Sequence, residues 1–210
     1  MPYEAIVIGV SAGGLQALKI LLPVLPASFP LPIAVVQHIG ERSDGFLATY
    51  LNQISKIMVK EAEDKEPLCS GIAYLAPPGY HLLIEPGRIF GLSVDARINY
   101  SCPSIDVLFE SAAHAFGESL IGIVLTGANA DGAQGLKIIR AYGRRAIVQN
   151  PKTAEAAAMP QAALAATKAD YVVDLEQIAP LLLRLAEGQS AVSDEEPPTD
   201  PVQRLRRSQH

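Results

Sequence analysis

Ala5-Ile6-Val7-Ile8-Gly9-Val10-Ser11-Ala12-Gly13-Gly14 is the stretch from which the rest of this 210-residue chain can be read. Residues 5–10 are apolar without alternation, which is how a strand buried on both faces of a parallel sheet reads. The glycines then allow a sharp turn. Leu15, Leu18, Leu21 and Leu22 follow at the spacing of one helix face. A strand, a Gly-rich turn and a helix predict an α/β beginning, and the side chain carried out at the turn is a serine.

Further along, residues 33–36, 121–125 and 146–148 form short Ile- and Val-rich runs of the same kind, and 171–173 reads as a fifth. Between them lie helical periods. Ile105, Leu108, Phe109, Ala112 and Phe116 share one face, and Leu136, Ile138 and Ile139 mark another helix that stops near Gly143. Strands alternating with helices predict an α/β fold with a mostly parallel sheet. The middle differs: residues 81–85 and 88–92 flank Pro86-Gly87 and read as an antiparallel hairpin added to that sheet. After about Ala186 the composition turns to Gly-Gln-Ser, an acidic run, paired prolines and arginines. Residues 1–186 are therefore expected to form one catalytic domain and 187–210 a flexible tail.

A hydrophobic fraction of 49% against 19% charged residues provides for a sizeable core and excludes global disorder. The net charge of −5, with no basic cluster in the apolar-rich part, argues against a nucleic-acid partner. Cys69 and Cys102 are too few and too far apart for a disulfide framework or zinc site, and no ligand cluster implies a metal or organic cofactor. The N-terminus runs into a strand without a basic segment or cleavage site. The longest apolar stretch, residues 20–36, is broken by Pro23, Pro26, Pro30 and Pro32, so it predicts no membrane insertion. The expectation is a soluble, cytoplasmic protein.

In open α/β sheets ligands bind beyond the carboxyl ends of the strands. Ser11 follows the first run there, His38 the second and Asp131 the third. A hydroxyl, a base and a carboxylate on one sheet edge are what nucleophilic acyl transfer needs. Gly9-Val10-Ser11-Ala12-Gly13 also fits the G-x-S-x-G elbow, which would expose the serine at a helix N-terminus. The Ala12 backbone N–H, with a second from Ala128, would then receive an oxyanion. The chain order Ser, His, Asp differs from that of α/β-hydrolases, which points to the same chemistry on another fold.

Each signal has a plainer reading. Gly-rich turns after a first strand are more often phosphate cradles, although this one fails the G-x-G-x-x-G pattern and no P-loop lysine follows Gly14. His38 alone reads equally well as an ordinary strand-end histidine. Asp131 would simply cap the helix that follows it, and Asp106 would complement the N-terminus of its own helix. Hairpin packing is the default for His81, and a solvated helix face for His114.

At these motifs the sequence resembles the catalytic domain of the bacterial chemotaxis methylesterase family, CheB, from about Tyr3 to Leu185. The blocks are Ile8 to Gly14, Val36-Gln37-His38, Val59-Lys60-Glu61-Ala62, Ala73-Tyr74-Leu75-Ala76-Pro77, Pro103 to Phe109, Leu125-Thr126-Gly127, Asp131-Gly132-Ala133, Gln149-Asn150 and Met159-Pro160. The resemblance implies a doubly wound, mainly parallel sheet with an antiparallel hairpin. It also implies hydrolysis of glutamate γ-methyl esters on chemoreceptors or receptor-like signalling proteins, and deamidation of particular glutamines. Ser11 matches the nucleophile, His38 the general base and Asp131 the carboxylate that orients it.

The chain departs from the family at three places. Ala12 replaces a common threonine after the nucleophile. Ala128 and Asn129 replace the usual Met-Gly, with asparagine expected to tolerate a left-handed conformation at the glycine position. Ser101 and Cys102 replace basic residues that would suit an acidic receptor surface. The family's chemotaxis enzymes usually carry an N-terminal receiver domain, whereas this chain begins at the first catalytic strand. A stand-alone enzyme without a phosphorylation switch in cis, unrestrained or controlled by a methyltransferase or regulator in trans, is therefore expected. The alternatives are a non-catalytic module that binds a methyltransferase or sensor kinase, and a nucleotide-binding domain that uses the Gly9 to Gly14 turn.

Overall fold

The strand formed by Ala5–Val10 (β1) is buried along its whole length and lies at the centre of a seven-stranded sheet. The computed structural model describes residues 3–40 and 45–188. After β1 come α1 (Gly14–Leu21), β2 (Ile33–Gln37), α2 (Phe46–Ile54), β3 (Met58–Glu61), β4 (Ile72–Leu75), β5 (His81–Glu85), β6 (Ile89–Ser93) and α3 (Ile105–Phe116). These are followed by β7 (Leu120–Val124), α4 (Ala133–Ala141), β8 (Arg145–Gln149), α5 (Ala158–Ala166), β9 (Tyr171–Val173) and α6 (Leu175–Ala186). The expected tail falls, apart from Glu187 and Gly188, outside the described residues.

The sheet order is β3-β4-β2-β1-β7-β8-β9, and every pairing in it is parallel. Alternate residues of each strand face opposite cores. Ile6, Ile8, Val35 and Ile123 meet α1, α2 and α6, while Val7, Val36, Val124 and Val148 meet α3, α4 and α5. Burial on both faces is why these runs carry no polar alternation. Among the described residues no helix is long and apolar enough to cross a membrane.

The hairpin β5–β6 forms where it is expected but does not join the sheet; it is a separate two-stranded unit. Its outer edge pairs instead with the segment after β3, where Phe90 N–H donates to Glu66 O at 2.9 Å and Lys65 N–H to Phe90 O at 2.8 Å. Its inner side packs on α3, where Ile84 N–H donates to Ser111 Oγ. Leu82, Ile84 and Phe90 thereby share the core of α3 and α4.

Strand order reverses around β1: the chain winds out through β2 to one side and returns through β7 on the other. The carboxyl ends of β1, β2 and β7 therefore converge on one crevice, the place where open α/β sheets bind ligands.

Candidate active site

Ser11 leaves β1 in a turn fastened from four sides. Its N–H donates to Thr126 O (2.9 Å), and its carbonyl accepts from Gly14 N–H (2.9 Å) and from Gln37 Nε2 (3.0 Å). Thr126 Oγ1 donates to Ala12 O (2.8 Å). Gly13 adopts φ +77°, a conformation that L side chains disfavour. A Cβ at Gly14 would lie 1.8 Å from Gln37 Oε1, so a side chain there fits only if the Gln37 amide moves. The glycines thus serve this turn. A phosphate cradle is poorly placed here, since the Glu155 carboxylate stands against Gly13.

The three strand-end residues meet. His38 Nδ1 lies 3.1 Å from Ser11 Oγ, and His38 Nε2 lies 2.8 Å from Asp131 Oδ2. A carboxylate beside Nε2 selects the tautomer with its proton there, so the Nδ1 lone pair is left to accept from the Ser11 hydroxyl. The ring is turned opposite to that of trypsin-like proteases, where Nε2 faces the serine. Gln37 Nε2 also donates to His38 O (3.0 Å), tying the base to the Ser11 turn.

Asp131 is 1% exposed and surrounded by donors. Its Oδ1 accepts from Ser104 Oγ (2.9 Å), Asp106 N–H (3.2 Å) and Gly132 N–H (3.1 Å), and its Oδ2 from Ile105 N–H (2.7 Å) as well as His38. Burial pushes its pKa up, but the His38 contact and the Ile105 and Asp106 amides outweigh this and hold it below the ordinary carboxylate value. Asp131 is therefore an anion seated on the N-terminus of α3, where the helix dipole favours it. It does not cap α4, the helix that follows it, whose N-cap Gly132 has no side-chain cap bond. Asp106 lies in the first turn of its own helix, where its charge complements the N-terminus as expected, but its short hydrogen bond goes to the neighbouring helix. Its Oδ1 accepts Gly135 N–H of α4 at 2.7 Å, and burial pushes its pKa up to about 6.

Several functional residues escaped the sequence reading. His81 is 1% exposed and does more than fill the hairpin: its Nδ1 accepts Ser104 N–H (3.2 Å) and its Nε2 faces Ala96 O (3.2 Å). It thereby fixes the residue that starts α3 and holds Asp131. Asn99 reaches both Asp106 Oδ2 (3.0 Å) and Asp131 Oδ1 (3.4 Å) through Nδ2. Asn129 accepts Asp131 N–H on its Oδ1 (3.1 Å) and turns Nδ2 to His38 Nδ1 (3.4 Å). It is not among the residues with positive φ, so no left-handed glycine position is being filled. The signal for Gln37 was a polar residue at the buried end of an apolar strand; no local signal marked Asn99 or His81. His114 lies on a solvated helix face, as expected, with its ring edge-on to Tyr142.

Ala12, next to the serine, and Ala128, in the loop after β7, are exposed, and none of the hydrogen bonds that fasten the Ser11 turn engages either backbone N–H among the described residues. Two clefts meet at the site. One of about 230 Å³ is lined by His38, Arg97, Tyr100 and Cys102, the other of about 680 Å³ by Asn99, Tyr100, Asn129, Asp131 and alanines of α5. Cys102, which is in no disulfide, and Ser101 are both half-buried. Arg97 brings a basic side chain to the cleft in which Ser101 and Cys102 lack one.

Known proteins share both the sequence and the fold. The family described as CheB methylesterase matches residues 6–182. This chain belongs to that family. A relative from Leptospira interrogans, provisionally named a protein-glutamate methylesterase/protein-glutamine glutaminase, is 57% identical over 185 residues, covering 88% of this chain and 96% of the relative. The protein-glutamate methylesterase/protein-glutamine glutaminase of group 1 operon from Pseudomonas putida is 38% identical over 178 residues, or 84% of this chain but 48% of that one. The chain thus spans about half the length of the Pseudomonas relative. The crystal structure of the Thermotoga maritima CheB methylesterase catalytic domain superposes with a TM-score of 0.84 at 34% identity, covering 87% of this chain and 98% of the other. The doubly wound parallel sheet with its antiparallel pair is therefore the CheB catalytic fold.

Proposed function

We propose that this chain is a serine hydrolase that removes methyl groups from glutamate γ-methyl esters of chemoreceptors or receptor-like signalling proteins, and that it deamidates particular glutamines by the same route. The observation that carries this reading is the continuous relay from Ser11 Oγ through His38 to Asp131, with contacts of 3.1 and 2.8 Å. Its support is chemical: a hydroxyl, a correctly oriented base and an anion buried with its charge intact.

In the proposed reaction His38 Nδ1 takes the Ser11 proton as Oγ attacks the γ-carbonyl carbon. The Nε2 proton stays on the ring, and the ionised Asp131 balances the imidazolium. The N–H groups of Ala12 and Ala128 receive the oxyanion. Collapse returns the proton to the leaving methoxide as methanol, or to the leaving amine as ammonia. A water deprotonated by His38 then attacks the acyl-serine and releases glutamate. Substrate enters along the two clefts that meet at Tyr100, and Arg97 suits an acidic receptor surface in place of the missing basic pair. In this reading residues 1–186 are the catalytic domain of a cytoplasmic enzyme, with any regulator or methyltransferase acting in trans.

The test is methanol release from methylated receptor membranes by wild type and Ser11→Ala. Release that vanishes in the variant supports the reading. Absence from both, with no labelling of Ser11 by a fluorophosphonate, would favour the non-catalytic module instead.

A further inference from the structure

We infer that Asn99 is a positioning residue for the Ser11–His38–Asp131 relay, its side-chain amide bridging the carboxylates of Asp106 and Asp131. This inference rests on the proposed hydrolase reading and adds a residue to it.

Asn99 stands at the tip of a two-residue turn. Ile98 and Ser101 exchange both backbone hydrogen bonds, at 3.1 and 2.9 Å, leaving Asn99 (φ +51°) and Tyr100 (φ +64°) between them. Two successive left-handed residues define the tight hairpin turn that asparagine favours at its first position. Tyr100 gains no burial from it, being 95% exposed. Strain held at such a place calls for a function, and the Asn99 amide offers one. An amide nitrogen carries two protons, and here each faces a carboxylate: Asp106 Oδ2 at 3.0 Å and Asp131 Oδ1 at 3.4 Å.

The two acids need that amide unequally. Asp131 is held by five other protein groups besides Asn99. Asp106 has, apart from Asn99, the Gly135 N–H as its one short contact, and the Asp131 charge and Glu110 on its own helix both push its carboxyl up. The other groups around it are the Gly132 amide, His38 beyond Asp131 and His81 beyond Ser104. Without the Asn99 amide, the two carboxylates would lose the one side-chain donor they share, and Asp106 would be driven further towards its protonated form. Its new O–H would then donate towards Asp131 Oδ1, the atom Asn99 had served. That would draw charge away from the Nε2–H of His38 just where the imidazolium needs it. The bridge keeps Asp106 from competing for Asp131.

Asn99→Gly is the informative variant, since glycine accepts the left-handed backbone and only the amide is lost. The assay follows two quantities in wild type, Asn99→Gly, Asp106→Asn and the double variant. One is the Asp106 carboxyl titration by carbon-13 NMR. The other is fluorophosphonate labelling of Ser11 from about pH 5 to about pH 9, resolved into a maximal rate and a half-saturating concentration. The expected result for Asn99→Gly is an Asp106 midpoint raised by about one unit. The maximal rate at neutral pH should fall about tenfold with half-saturation within about twofold, and the acidic limb should rise with the Asp106 midpoint. The limb shift should vanish when Asp106→Asn is already present. An unmoved midpoint with a wild-type rate overturns the inference, as does a loss confined to half-saturation, which would make Asn99 a ligand contact. A wild type that never labels overturns the hydrolase reading and the relay with it, while the Asp106 midpoint still decides whether Asn99 bridges.

Discussion

Asp106 and Asp131 each bind the first turn of the other's helix. Asp131, the residue before the N-cap of α4, accepts Ile105 and Asp106 N–H groups of α3, and Asp106 in α3 accepts Gly135 N–H of α4. The exchange locks α3 and α4 together at their N-termini and places two acids in one buried site. They titrate in opposite senses. Burial raises Asp106 to about 6, while the donors around Asp131 outweigh its burial and lower it.

The sign of the Asp106 effect gives a stability prediction. A folded pKa above the unfolded value means that the folded state prefers the protonated form. Asp106 therefore costs stability above about pH 6, and the cost is relieved as pH falls from 6 towards 4. Asp131 works the other way: its contribution is full above the ordinary carboxylate value and is lost as pH falls through its lowered one. Asp106→Asn should accordingly raise stability at pH 8 by about 1–3 kcal/mol and by less at pH 5. Thermal denaturation at the two pH values measures this, and an equal gain at both would refute it.

The relay makes a kinetic prediction. Ser11→Ala, His38→Ala and Asp131→Asn should each lower turnover by about a thousandfold or more, and the triple variant should be scarcely worse than Ser11→Ala alone. Multiplying losses in the combined variant would mean that the three do not act as one unit.

How much of this was legible follows from how local each signal is. β1, β2, β7 and β8 read correctly to within a residue at each end because both faces of each are buried, which leaves an unbroken apolar run. β3 was missed because it is an edge strand: Met58 is 55% exposed, and Lys60 and Glu61 are only half-buried. α5 is so rich in alanine that it shows little sidedness, and α6 carries Pro180 in its interior, which reads as a helix breaker. Ser11, His38 and Asp131 could be read because each directly follows a strand or its turn. What Asp106, His81 and Asn99 do depends in part on partners more than 20 residues away (Gly135, Ser104 and Asp131), which no window of sequence reveals.

His81 should behave as a structural support with a catalytic consequence. His81→Ala strands the buried Ser104 N–H and leaves a cavity, a cost of about 2–4 kcal/mol, and it releases the exposed Ala96 segment. Because Ser104 also holds Asp131, the rate of Ser11 labelling should fall even at a temperature where the variant remains folded. Urea unfolding and probe labelling on the same sample separate the two effects, and full labelling of a destabilised variant would show that the support stops at the fold.

Gly14→Ala tests whether the Ser11 turn is held by Gln37 or merely adjacent to it. The new methyl would stand 1.8 Å from Gln37 Oε1 and 2.9 Å from Val10 Cγ2. Gln37 Oε1 is the tip of a flexible side chain, so the amide can swing away and the protein should still fold. That swing releases the Ser11 and His38 carbonyls from Nε2 together. Labelling of Ser11 should then drop about ten- to a hundredfold while Tm falls only modestly. Gln37→Ala should reproduce the loss without any clash, and Gly14→Ala added to Gln37→Ala should cost little more, since the group it displaces is already gone. Independent, multiplying losses would place the defect of Gly14→Ala in the backbone itself, with Gln37 a bystander.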